Sequence, residues 1–243
     1  MFKGKGTSGG GNGEGREVPP AGNLPAVLIG MVDLGTRTET FQGESKKAHH
    51  ILLVWELTGE PLSGTRDRNH VIGQRYTYSF HVKANIRQQY EKWDGRKYGE
   101  NEEIDYAAKV AHPCLVSITH GQSGEGRTYA KVTGFGALPK EMVPHVKPPK
   151  HQPFLYSLAE GLYLRDPKTK KMEQAGSDLP EWEWLPFVYG VSVQETIEDS
   201  DEWKALMRPA HAATAPAQPP AEQSHPAMPP GSEPVAADGP IPW

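Results

Sequence analysis

The residues best suited to chemistry are rings and cations that alternate along the chain. Arg127, Tyr129 and Lys131 recur at period two, so an extended backbone sets a ring between two positive charges on one side. Single-stranded nucleic acid calls for that combination, because rings stack under bases while cations follow the phosphates. Arg75, Tyr76 and Tyr78 form a second cluster, with Arg66 and Arg68 a few residues upstream. Lys46, Lys47 and His49 form a third, ahead of Trp55 in an otherwise apolar run. For Trp55, Tyr76, Tyr78 and Phe80 the competing assignment is core packing, and it is preferred for Trp55 and Phe80.

Other chemistries have less behind them. Cys114 is the single cysteine, and with His112 and His120 it falls short of four zinc ligands at recognisable spacings. No metal and no cofactor are expected. Glu56, Glu60 and Asp67 lie close in sequence, as a metal-dependent nuclease would need, but no GxxxxGK[ST], GxSxG or HExxH motif occurs. A non-enzymatic binding protein is the expectation. The alternatives are a metal-dependent nuclease or replication accessory enzyme, and a module that binds only protein.

The net charge of −4 hides an asymmetry. Residues 23–172 carry 21 Lys and Arg against 16 Asp and Glu, whereas residues 173–202 carry nine acids and no Lys or Arg. A basic body followed by an acidic segment suits an anionic ligand with a self-competing element. No apolar run of membrane-spanning length and no signal-peptide core are present, so no membrane partner and a cytoplasmic location are expected.

The elements that must position these residues read mainly as strands. Lys46–Leu57 is apolar on both faces over its middle, which places it centrally in a sheet. Leu24–Leu34 precedes it, with Gly30 at a bend, and a polar loop 35–45 joins the two. Val71–Phe80 follows. Val82, Ile86, Tyr90 and Trp93 then recur at helical spacing, with Lys83, Arg87 and Lys92 on the polar side and Gly95 as the stop. A second helix is expected from Asn101 to Ala111, and then strands Cys114–His120 and Arg127–Phe135. In the last strand, Arg127, Tyr129, Lys131, Thr133 and Phe135 are expected on one face. Three strands, helices and two strands make a mainly β, OB-like five-stranded Greek-key barrel. Residues 154–193 add a β/aromatic extension, and Trp203 lies in a short closing helix. The domain spans 23–208. The Gly-rich residues 1–22 and the Pro/Ala-rich 209–243 are expected to be disordered.

Val32–Thr36, Trp55–Leu57, Trp93–Arg96, the strand from Cys114 to His120 and the segment Leu179–Trp184 stand in the order found in a group of small bacteriophage proteins. The chain resembles that single-stranded DNA-binding family of phage replication modules over roughly 24–200. The resemblance implies largely sequence-independent binding of single-stranded DNA in replication, recombination or repair, within the bacterial host. Separately, Asp238, Ile241, Pro242 and Trp243 are similar to the acidic, aromatic tip of bacterial single-stranded DNA-binding proteins. That similarity implies recruitment of phage or host replication and recombination proteins, with Trp243 as the ring. A homo-oligomer is compatible with all of this.

Overall fold

Two long strands carry the fold because both of their faces are apolar. In the computed structural model, which describes residues 17–41, 43–63, 68–124, 126–186, 188 and 191–207, β1 (Gly22–Phe41) pairs antiparallel with β2 (Glu44–Pro61). Ile51, Leu53, Trp55 and Leu57 enter one core, while Leu52 and Val54 enter a second core across the sheet. The expected two-sided burial of the central strand holds. The segment read as a loop at 35–45 is mostly strand, the continuation of β1 and β2 into a long hairpin arm.

β3 (Asn69–Thr77) pairs with β2, β4 (Pro113–Gln122) with the start of β1, and β5 (Thr128–Gly136) with β4. Helix α1 (Asn85–Asp94) brings Ile86, Tyr90 and Trp93 into the first core and ends at Gly95, whose φ of 66° suits a residue without Cβ. The extension continues the same sheet. β6 (Phe154–Ser157) runs parallel to β1, followed by β7 (Gly161–Arg165) and β8 (Met172–Gly176). Helices α2 (Val193–Glu198) and α3 (Asp201–Met207) follow, and Trp203 of α3 packs on the second core. The protein is thus mainly β, with one mixed sheet of eight strands. Among the described residues, no helix is long and apolar enough to cross a membrane.

Gly30 sits at a register shift in β1, and a Cβ there would overlap the Phe154 ring. The bend expected at this glycine is also where β6 reaches the sheet.

Several expectations need correction. The sheet is not closed into a barrel: among the described residues, β3 and β5 share no ladder. The Phe135 N–H of β5 donates instead to Gln89 Oε1 of α1 at 3.1 Å. Rings fill the seam, with Tyr76 edge-on to Phe135 at 6.0 Å. The second helix is only a 3-10 turn, Ala107–Lys109. Glu102, expected in its first turn, accepts from the Gly99 N–H and pairs with Arg96. Arg87, expected in solvent, is fully buried and donates to the carbonyls of Phe80, Tyr98 and Gly99. At the end of the expected N-terminal tail, Glu17 accepts from Ser63, and the Pro19 carbonyl lies 2.8 Å from His120 Nε2. Residues 1–16 and the tail from 208 onward lie outside the described residues.

Candidate nucleic-acid interface

Where β3 ends, its aromatic run leaves the core. Tyr76 is buried, but Tyr78 and Phe80 are 36% and 38% exposed. Their rings meet edge-to-face at 5.2 Å, and Phe80 stacks at 5.5 Å on the buried Tyr106. Tyr106 packs in turn against Tyr90 of α1 at 4.6 Å. Exposed rings supported by a buried aromatic column are held in place rather than left to swing. Antiparallel pairing sets the end of β3 beside the start of β2, and the Tyr78 N–H donates to the His49 carbonyl. The His49 ring lies 5.6 Å from the Tyr78 ring. Lys47 and His49 share a strand face, while Lys46 and Lys83 are exposed nearby in the chain.

The electrostatics of this patch are mixed. The hydrogen bond that His49 Nε2 donates to Asp33 Oδ1 at 2.8 Å raises the His49 pKa against the opposing effect of burial, with Glu202 helping. Burial raises the Tyr78 pKa, and Asp105, Asp33 and Glu103 add to it. Lys47 is paired with Asp201 at 2.7 Å.

A second patch lies on the outer face of β4 and β5. Ala130 and Val132 point into the core, leaving Tyr129, Lys131 and Thr133 on the outside. Lys131 is exposed opposite Thr119, and Arg127 is exposed in the turn before β5. Tyr129 is half-buried because its ring lies over Gly121, its partner across the strands, where a Cβ would stand 2.7 Å from the ring. The face expected from alternation holds to Thr133 and then fails. A register shift between Ser117 and Ile118 reverses the parity, and Phe135 turns into the core.

The remaining expected site residues divide four ways. Trp55 and Tyr76 are core residues, 0% and 7% exposed, so neither ring is available to a base. Arg75 pairs with Glu39 and lies 3.2 Å from His50 Nε2. Arg68 is exposed. Arg66, Asp238, Ile241, Pro242 and Trp243 lie outside the described residues.

Glu56, the acid considered for a catalytic metal, is fully buried. It accepts from Asn69 at 2.5 Å, from the backbone N–H groups of Lys150 and His151, and from His151 Nδ1 at 2.8 Å. Burial raises its pKa, but these donors, His151 foremost, outweigh burial and hold it below 4.5. Its oxygens are committed to anchoring the 150–151 segment. Among the described residues, no group of three or more His, Cys, Asp or Glu is arranged to hold a metal ion.

Sequence reasoning missed two features. Phe80 was assigned to the core. The clue was a run of alternating rings at 76, 78 and 80, with one more ring than the end of β3 can bury. The other is an open groove of about 720 Å³ rimmed by Lys147, Lys150, Arg165 and Lys170 over Val27 and Pro113. The Pro/Lys/His-rich run 146–152 was its signal. No protein-family model matches the chain, and no curated protein shows significant similarity to it.

Proposed function

We propose that the protein binds single-stranded DNA without enzymatic activity and with little sequence preference, in a phage replication or recombination setting. The observation that carries this reading is the pair of exposed rings, Tyr78 and Phe80, supported by buried Tyr106. An apolar ring left in water but held rigid is a stacking platform whose ordering entropy is already spent. Tyr129, flanked by Lys131 and Arg127, supplies a second stacking and phosphate contact. The connectivity of β1 to β5, in lateral order β3-β2-β1-β4-β5, supports an OB-like assignment for this part, with β6 to α3 as an addition that covers the outer side of β1 and β2. Asp238–Trp243 is proposed as the contact for replication or repair proteins.

The test is binding of a fluorescent oligo(dT) to the wild type and to Tyr78→Ala/Phe80→Ala. Each stacking ring should contribute about 1–3 kcal/mol of affinity. The double variant should therefore bind at least tenfold more weakly while its melting temperature moves little. Unchanged affinity in a folded double variant would remove this patch from the interface.

A further inference from the structure

The β1–β2 arm beside the aromatic patch carries donors and cations that meet carboxylates from one short segment, 199–202, while His49 Nε2 is also held by Asp33 of β1 at 2.8 Å. Glu202 accepts from the Thr36 N–H and from Thr36 Oγ1, both at 2.6 Å, and stands 3.7 Å from His49 Nδ1. Asp201 pairs with Lys47 at 2.7 Å. Asp199, which follows α2, pairs with Arg37 and shares its other oxygen with Lys204 of α3 at 2.5 Å. The receiving side is shaped for this approach. A register shift after Asp33 and a left-handed Gly35, with φ of 72°, turn the Thr36 N–H outward. A Cβ on Gly35 would meet Ser200 and Glu202.

We infer that Thr36, Arg37, Lys47 and His49 form a phosphate-binding subsite, and that Asp199, Asp201 and Glu202 occupy it as an internal substitute for nucleic acid. An N–H, a hydroxyl, an imidazole, an ammonium and a guanidinium form a donor set that receives a phosphate as readily as a carboxylate. The subsite adjoins the stacking platform, since His49 contacts both Glu202 and the Tyr78 ring. The occupant is also built to leave. The side chains of Lys47, Asp199 and Asp201 are 68%, 52% and 43% exposed, and ion pairs so open to water hold weakly. α3 is seven residues long. A strand bearing several phosphates outcompetes three carboxylates and lifts α3 from the arm. This rests on the single-stranded DNA reading and adds an autoinhibitory contact to it.

The test compares oligo(dT) affinity of the full chain with that of Asp199→Asn/Asp201→Asn/Glu202→Gln. A control, Glu173→Gln/Glu181→Gln/Glu183→Gln, removes the same charge from exposed positions of the extension. Hydrogen exchange of residues 201–207 is followed in the wild type with and without saturating oligo(dT). The latch variant should bind about fivefold more tightly, the order of equilibrium that three half-exposed ion pairs hold together. The control should change by less than about twofold, and exchange in 201–207 should speed up on binding. Equal gains in both variants, or a wild type that binds with α3 still protected, overturn the latch while leaving DNA binding intact. If the wild type, the control and the latch variant all fail to bind, the DNA-binding reading itself falls. If the latch variant does not fold, the wild-type exchange experiment decides alone.

Discussion

At the residue scale, the same chemical type does opposite jobs in different settings. Glu56 and Glu202 are both half of a hydrogen-bonded pairing between the first five strands and the later chain, yet Glu56 is sealed and Glu202 is partly open. Glu56 answers donors from three residues, Asn69, Lys150 and His151. Removing it by Glu56→Ala should cost about 3 kcal/mol, because a buried hub is lost, the Asn69 amide stays buried without its acceptor, and the 150–151 segment loses its anchor. The pH dependence follows from its depressed pKa. A carboxylate whose folded pKa lies below its unfolded value stabilises fully above about pH 4.5, and that contribution is lost as the pH falls through the folded value. Glu56→Gln should therefore be less stable than the wild type at neutral pH and converge on it in acid. Thermal melts across that range check the point; parallel curves would show that the charge contributes nothing. His49 runs the other way. Its raised pKa means that its ion-pair contribution is present below about pH 6.5 and fades as the pH rises through the folded value. Tyr129 and Phe135 make a similar contrast: six residues apart on one strand, one lies over Gly121 at the surface and the other is the hub of the core.

At the element scale, the strands were legible because burial has period two, and the places where reading failed are places where that period breaks. Alternation located β2 to β5 to within a few residues and predicted the two-sided burial of β2, but it ended β1 at Leu34, well short of Phe41. It could not foresee the shift opposite Ser117–Ile118, which moves Phe135 from the outer face to the core. Helical spacing found α1, but Arg87 looked solvent-facing because a single sequence does not reveal carbonyls left open by a neighbouring loop. The helix expected after Asn101 fails because Glu102 is engaged by Gly99 and Arg96, and Tyr106 is drawn into the aromatic column. Of the candidate interface, the Lys46–His49 cluster, Tyr78 and the Tyr129–Lys131 face were visible in sequence, while Phe80 and the groove at Lys147 were not. Gly30 was read as a bend, and the reason proves to be the Phe154 ring against it. Gly30→Ala should destabilise by about 1–3 kcal/mol, the usual cost of forcing a methyl group into a filled core. Urea unfolding measures this; a neutral result would mean that β6 is free to move off β1.

At the scale of the whole molecule, charge and covering surface act together. The extension from β6 onward lays a second core over the outer side of β1 and β2. That leaves the outer face of β4–β5 and the end of β3 as the open ground for a ligand. Asp238–Trp243 is proposed as a contact for other proteins. Deleting Asp238–Trp243 should leave stability and oligo(dT) affinity unchanged or slightly improved, and should abolish capture of replication proteins. Trp243→Ala alone should do most of the same, since an aromatic anchor carries a large share of such an interface. Loss of DNA binding on deletion would assign the segment to the wrong partner.

The central claim, that rings and cations on this sheet hold single-stranded DNA, is tested most directly by titrating the full chain with oligo(dT) and with a duplex of equal length across a range of salt. The account predicts clear preference for the single strand and a binding constant that falls with salt, with a log–log slope of about −0.7 for each phosphate engaged. A binding constant flat in salt, or equal affinity for the duplex, would contradict it.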